Sequence, residues 1–241
     1  MLKSSPFICI NSLSKDFGRR KVLKELNLDV CKGDFLAIFG SNGAGKTTLL
    51  RILATLSGFS SGSITINGFE IKENSIEIRE KIGLISHNLI LYKDLNAYEN
   101  LRFYGKMYNV PALDDRISEL LQKVELDHRK FDVVRTFSRG MQQRLSIARA
   151  LLHNPEIIFL DEPFSGLDVH ARGILDDMLE GLKKEGSHTL IMATHDIEKG
   201  LVHANSLAIL SGGKIVYSQR GNLPDLDSFK RIYHEHAGDK I

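Results

Sequence analysis

Tryptophan is absent from this 241-residue sequence, and it contains only two cysteines and five prolines. Cys9 and Cys31 lie in short apolar stretches without the paired spacing of a zinc site or a disulfide framework, so neither scaffold is expected and free thiols suit a reducing compartment. No apolar run approaches the roughly 18 residues of a membrane helix. Even Ile157–Leu160 runs straight into Asp161 and Glu162. Residues 1–10 hold no apolar segment long enough for a secretory signal. An excess of one charge is also lacking: Lys+Arg 32 against Asp+Glu 30 leaves +2, which removes net charge as an argument for a nucleic-acid partner. The chain is expected to be cytoplasmic and non-spanning, with no nucleic acid bound.

What is present is a globular composition, 42% hydrophobic and 26% charged. The length suits a single large domain. Short β-branched runs alternate with segments of helical period, an order that predicts an α/β fold with a mixed sheet. Strands are predicted at 7–13, 27–30, 34–39, 62–66, 82–85, 156–160, 189–193, 206–210 and 214–218. An Asn67-Gly68 pair marks a hairpin turn. From Asn96 to Leu152 the pattern is almost purely helical and reads as an insertion into the α/β core. Leu226, Phe229 and Ile232 predict a short terminal helix in the tail after Gly221. The expected division is a core of about 1–86 and 155–220, a helical insertion at 88–154, and a tail at 221–241.

Residues 40–47 read Gly-Ser-Asn-Gly-Ala-Gly-Lys-Thr, a complete G-x-x-x-x-G-K-[ST] between an apolar strand and a potential helix. Such glycines let successive backbone N–H groups turn around an oxyanion at the positive end of a helix. Gly40, Ser41, Asn42, Gly43, Ala44, Gly45, Lys46, Thr47 and Thr48 are therefore candidate nucleotide-phosphate-binding residues, in a loop that alone does not separate a small-molecule kinase, a GTPase and a motor ATPase. Lys46 is expected to reach the β- and γ-phosphates and Thr47 to ligate Mg²⁺. A second site follows Ile157-Ile-Phe-Leu160. Asp161 and Glu162 stand at the C-terminal edge of a buried strand, where ligands of doubly wound sheets bind. Asp161 is the candidate Mg²⁺ carboxylate and Glu162 the group that polarises the attacking water. A glycine-rich turn and a solvated acidic strand end are the bland alternatives.

Residues 136–152 read Thr-Phe-Ser-Arg-Gly-Met-Gln-Gln-Arg-Leu-Ser-Ile-Ala-Arg-Ala-Leu-Leu. With the two nucleotide motifs, this stretch resembles the ATP-binding subunits of ABC transporters, a likeness that covers residues 7 to about 220. The resemblance implies a P-loop NTPase core with an N-terminal antiparallel β-subdomain and an inserted α-helical subdomain. Ser138, Arg139, Gly140 and Met141 match the signature loop, Asp168 the D-loop, His195 the switch histidine and Phe17 the aromatic that stacks on adenine. Lys46, Glu162 and His195 would then be the catalytic groups. Ser138 also suits the N-cap of a following helix, a second anion site on a chain with one P-loop. In the family two such subunits pack head to tail, so the implied partners are a second copy or a related ATPase, and an integral membrane subunit at the inner face of the cell membrane.

The pattern is departed from at His87, where the family usually has Gln; an imidazole can ligate or hydrogen-bond, with a different reach and a pH-sensitive charge. Arg139 and Met141 replace a glycine and a glutamine of the signature. Arg139 is compatible with a phosphate or ribose contact and equally with solvent. The stretches 86–104 and 135–145 look like the haem exporter ATP-binding subunit of bacterial cytochrome c maturation; exporters of drugs, lipids or polysaccharides share much of this likeness. The apolar residues 89–92 suit docking of a membrane subunit and equally packing beneath the helical insertion. A soluble P-loop phosphotransferase is the alternative from a different class, but it has no need of Ser138–Gly140 or His195.

Overall fold

The computed structural model describes residues 6–86 and 88–237. The chain begins with a long hairpin, β1 (Ile8–Phe17) and β2 (Arg20–Val30), and continues through β3 (Phe35–Phe39) into α1 (Lys46–Leu53). The segments β4 (Ser61–Ile66), β5 (Phe69–Glu70), α2 (Ser75–Arg79) and β6 (Ile82–Ser86) follow. A helical stretch holds α3 (Ala97–Met107), α4 (Leu113–Lys123) and α5 (Arg139–Leu151). Alternation then resumes with β7 (Ile157–Asp161), α6 (Val169–Glu185), β8 (Thr189–Thr194), α7 (Ile197–His203), β9 (Ser206–Ser211), β10 (Lys214–Arg220) and α8 (Leu226–Ala237).

Two sheets result. The smaller is antiparallel in the order β2-β1-β4-β5; the larger runs β10-β9-β3-β8-β7-β6, parallel except for its edge strand β10. This is the mixed α/β architecture with an antiparallel N-terminal sheet that the sequence predicts. The first hairpin is longer than predicted because its pattern slips. Ile10 and Leu13 both face inward three residues apart across Ser12 (φ 47), and Leu23 and Leu26 do so across Glu25 (φ 49). Such bulges break the two-residue alternation by which a strand is recognised. At the predicted Asn67-Gly68 turn both residues have positive φ, 51 and 82, joining Ile66 to Phe69.

The strands of the larger sheet are buried on both faces, as parallel strands under helices must be. Along β3, Leu36 and Ile38 pack toward α1 and the small sheet, whereas Phe35 joins the α3–α6 side and Phe39 packs on α8. Ile157 and Phe159 likewise face α1, while Ile158 and Leu160 face the helices. The predicted tail helix is part of this core: Phe229 is fully buried and its ring lies 4.8 Å from that of Phe39. In parallel register Phe39 pairs with Thr194, and Asp161 with Ala193. The loops that leave β3, β7 and β8 therefore emerge side by side.

Helix α5 presses on β6 so closely that a Cβ at Gly83 would come within 2.5 Å of the Ala150 carbonyl. Arg149 donates to the Leu84 carbonyl at 2.8 Å, and His153 Nε2 lies 3.0 Å from the Ile82 carbonyl, which only a protonated nitrogen can satisfy. The His153 ring stacks on Tyr108 at 4.0 Å. Burial, with smaller contributions from Arg149 and Arg116, pushes its pKa down to about 4 from the ordinary 6.5. The stability tied to this neutral imidazole is complete above pH 6.5 and is lost as pH falls toward 4, a change of up to about 3 kcal/mol. Urea unfolding of His153→Gln, which keeps a donor for Ile82, is expected to show a flatter decline over that window. An unaltered acid limb would assign the loss to other groups.

Candidate functional site

Gly40–Thr48 form the turn from β3 into α1. Gly43 and Gly45 have φ of 83 and 113, and a Cβ at Gly45 would lie 2.8 Å from Leu23 Cδ2. Only glycine satisfies both the backbone and that contact. The first turn of α1 has neither a side-chain cap nor an acidic residue, whereas α3, α5, α6 and α7 are each capped by a side chain. The leading amides of α1 are thus left to an external acceptor. They border a cleft of about 400 Å³ lined by Phe17, Arg20 and Val22 of the small sheet, by P-loop residues, and by Glu162. Phe17 is 54% exposed, so its ring is a wall of this cleft rather than part of the core. Lys15 lies 4.7 Å from its centroid.

Lys46 is buried at 6% exposure; its ammonium donates to the Gly40 carbonyl at 2.6 Å and the Ser41 carbonyl at 3.3 Å, and stands 3.5 Å from Glu162 Oε1. Thr47 Oγ1 donates to Asp161 Oδ1 at 2.9 Å. A hydroxyl and a buried carboxylate meeting at one point suit Mg²⁺, a hard ion that takes few protein ligands and completes its shell with phosphates and water. Among the described residues no group of three or more His, Cys, Asp or Glu converges on a metal position, in keeping with so sparse a donor set. On the far side of Thr47 and Asp161 lies a smaller cavity, about 60 Å³, bordered by Ser86 and Asn88. His87 lies outside the described residues.

Glu162 follows β7 with φ 49, a left-handed conformation unusual for a non-glycine residue. Its N–H donates to the Ala193 carbonyl at 2.9 Å, which turns the side chain back over the sheet edge. Oε2 accepts from Thr194 Oγ1 at 3.3 Å and meets His195 Nδ1 at 2.9 Å. Glu162 thus links the His195 imidazole, outside the cleft, to the P-loop ammonium within it.

The predicted signature residues lie elsewhere. Ser138 Oγ accepts from Met141 N at 3.2 Å and caps α5, as its sequence position suggests. Gly140 is packed against the D-loop: a Cβ there would be 3.1 Å from Asp168 Oδ2, and Asp168 itself caps α6 through Ala171 N. The Arg139 guanidinium lies along Gly166, and the Met141 side chain packs into the helical core. Ser138–Met141, Asp168 and His195 do not line the P-loop cleft, whereas Phe17, Lys46, Thr47 and Glu162 do. Arg20 and Val22 are cleft residues the sequence did not disclose, because strand 27–30 was predicted too short to reach them. The Gly18 turn (φ 58) was the available signal.

The sequence profile of the ABC transporter family matches residues 23–165. The ABC transporter ATP-binding protein NatA of Bacillus subtilis (strain 168) is 35% identical over 88% of this chain and 86% of its own. Among solved structures, the dimeric post-hydrolysis state of the ATP-binding cassette MJ0796 bound to ADP and Pi superposes with a TM-score of 0.80 at 28% identity, covering 88% of this chain and 98% of that one. CbiO1 from Clostridium perfringens, part of the ABC transporter complex cbiONQ, gives 0.78 at 25% identity, covering 96% of this chain and 94% of that one. The glycine cradle, the Asp161–Glu162 strand end and these matches agree: the chain belongs to the ABC transporter family as an ATP-binding subunit, and its reaction is ATP hydrolysis.

Proposed function

We propose that two copies of this chain, or one copy and a related ATPase, close head to tail around two ATP molecules and that their reopening drives a separate membrane-spanning partner. One observation carries this reading. Gly140, just past the Ser138 cap, packs against Asp168 at an exposed helix start, and neither Ser138 nor Asp168 lines its own chain's P-loop cleft, so the second anion site has no triphosphate within the same chain. The MJ0796 neighbour, a dimer with ADP and Pi, supports the pairing, and the cbiO1 neighbour, part of a transporter complex, supports the membrane partner. No helix among the described residues is long and apolar enough to cross a membrane, so the chain would act from the inner face through the partner. Exposed Ile90 and Tyr92 in the stretch after residue 87 suit that contact.

In this reading the P-loop amides and Lys46 grip the β- and γ-phosphates of ATP, and Phe17 stacks on adenine. Thr47 and Asp161 hold Mg²⁺, which when bound neutralises charge on the phosphates. Glu162 polarises the attacking water, His195 orients Glu162 and meets the γ-phosphate, and Ser138–Met141 and Asp168 close on the opposing chain's nucleotide. Residues 1–86 and 155–220 act as the nucleotide-binding core, 88–154 as the arm carrying the signature, and 221–241 as the tail. Turnover per chain is expected to climb with chain concentration. A rate that stays flat at dilutions where only monomers sediment would overturn the pairing.

Haem export for cytochrome c biogenesis is the cargo we infer, supported by the likeness in 86–104 and 135–145. The relatives include both importers and exporters, so cargo identity rests on those segments. In vesicles containing the chain and its membrane partner, haem should stimulate ATP turnover. Stimulation by a drug, lipid or polysaccharide instead would replace haem as cargo.

A further inference from the structure

Helix α7 is capped by Asp196, directly after His195, and α6 is capped by Asp168. One carboxylate joins the two helices. Asp176 on α6 uses each oxygen once: Oδ2 accepts from Lys199 Nζ at 2.6 Å, and Oδ1 meets His203 Nε2 at 2.9 Å, both partners lying on α7. His203 is 2% exposed. Its ring stands nearly parallel to Phe35 of β3 and to Phe164, with centroids 5.8 and 6.1 Å away. Phe164 opens the loop that ends at Asp168, and the Lys199 ammonium sits 5.2 Å from its centroid. A Cβ on Gly200 of α7 would fall 2.4 Å from the Phe39 ring, at the last residue before the P-loop. Helix α7 is thus fastened to the helix after Asp168, to the loop before it, and to the strand that enters the phosphate cradle.

Packing α7 against α6 does not require charges here, since apolar residues of similar volume can commonly take the place of an ion pair without loss of stability. The polar contacts add direction, because two donors held by one carboxylate fix both the rotation and the axial position of α7. The imidazole of His195 leaves the chain at the cap of that helix and meets Glu162 at 2.9 Å. We propose that Asp176, Lys199 and His203 are positioning residues for ATP hydrolysis: they hold α7 against the 164–168 loop so that His195 and Glu162 of one chain, and Asp168 offered to the opposing chain, come into place together. The Asp168 half of this role rests on the paired-chain reading above.

Two variants of the full chain test it. Asp176→Asn keeps the volume but weakens both contacts. Asp176→Leu combined with Lys199→Met and His203→Phe fills the space with apolar groups. Both are expected to melt near the parent temperature and to keep KM for ATP within about twofold, while kcat falls about tenfold through misplacement of His195 and Glu162. A folded variant with parental kcat would overturn the proposal, as would a triple variant that regains the kcat lost by Asp176→Asn, because the loss would then stem from the half-buried Lys199 charge left unpaired. Glu162→Gln assayed alongside separates the two ideas. If it remains monomeric in ATP, the paired-chain reading fails, whereas a kcat-only loss in the cluster variants still supports the α7 half of the proposal.

Discussion

Glu162→Gln is expected to lower ATP turnover by at least ~100-fold, the loss typical of removing a group that handles the proton of the attacking nucleophile. The substitution preserves shape: the amide oxygen can still accept from His195 Nδ1 and Thr194 Oγ1, which now bond Glu162 Oε2. It also removes one negative charge beside Lys46, 3.5 Å away in this structure, and so eases the approach of a triphosphate. The variant should therefore bind ATP and accumulate as a nucleotide-bound dimer. Phosphate release and sedimentation velocity, each with ATP, read the two effects. Turnover within about threefold of the parent would remove Glu162 from the chemistry. Lost turnover in a chain that remains monomeric would count against the head-to-tail pairing.

Ser138→Asp separates a local role from a role across the interface. Aspartate caps a helix as well as serine does and suits the positive end of α5, so the bond now made to Met141 N should persist and the melting temperature should hold. The added carboxylate would nevertheless face the triphosphate held by the other chain. Turnover is expected to fall at least ~30-fold, the scale of losing an anion-stabilising donor and placing a repulsive charge there. On the Glu162→Gln background the ATP-bound dimer should disappear. If the folded variant hydrolyses ATP at the parental rate, the start of α5 does not meet a nucleotide.

The legible parts of this molecule were those encoded by neighbouring residues. The strand, glycine turn and helix around Lys46, and the apolar strand delivering Asp161 and Glu162, each declare their chemistry within a few positions, and both stand at one sheet edge. The small sheet was harder to read because the bulges at Ser12 and Glu25 shift its inward-facing residues by one, which concealed the turn that brings Arg20 to the cleft. Phe229 and its neighbours announced a helix, but its burial on Phe39 depends on a contact between distant parts of the chain. The Asp176–Lys199–His203 cluster has no local signature. Its members become partners only when two helices separated by β8 lie side by side.

With Glu162 as the proposed water-polarising group, its left-handed backbone would set turnover against thermal robustness at one position. Most side chains are disfavoured there by about 1–2 kcal/mol, whereas glycine, which lacks a Cβ, or asparagine, whose short amide hydrogen-bonds locally, would relax the turn. Screening such a protein for heat resistance alone would tend to enrich those replacements and yield sturdier chains that can no longer spend ATP. A programme of stabilisation should therefore keep this residue unchanged and seek its gains in the helices.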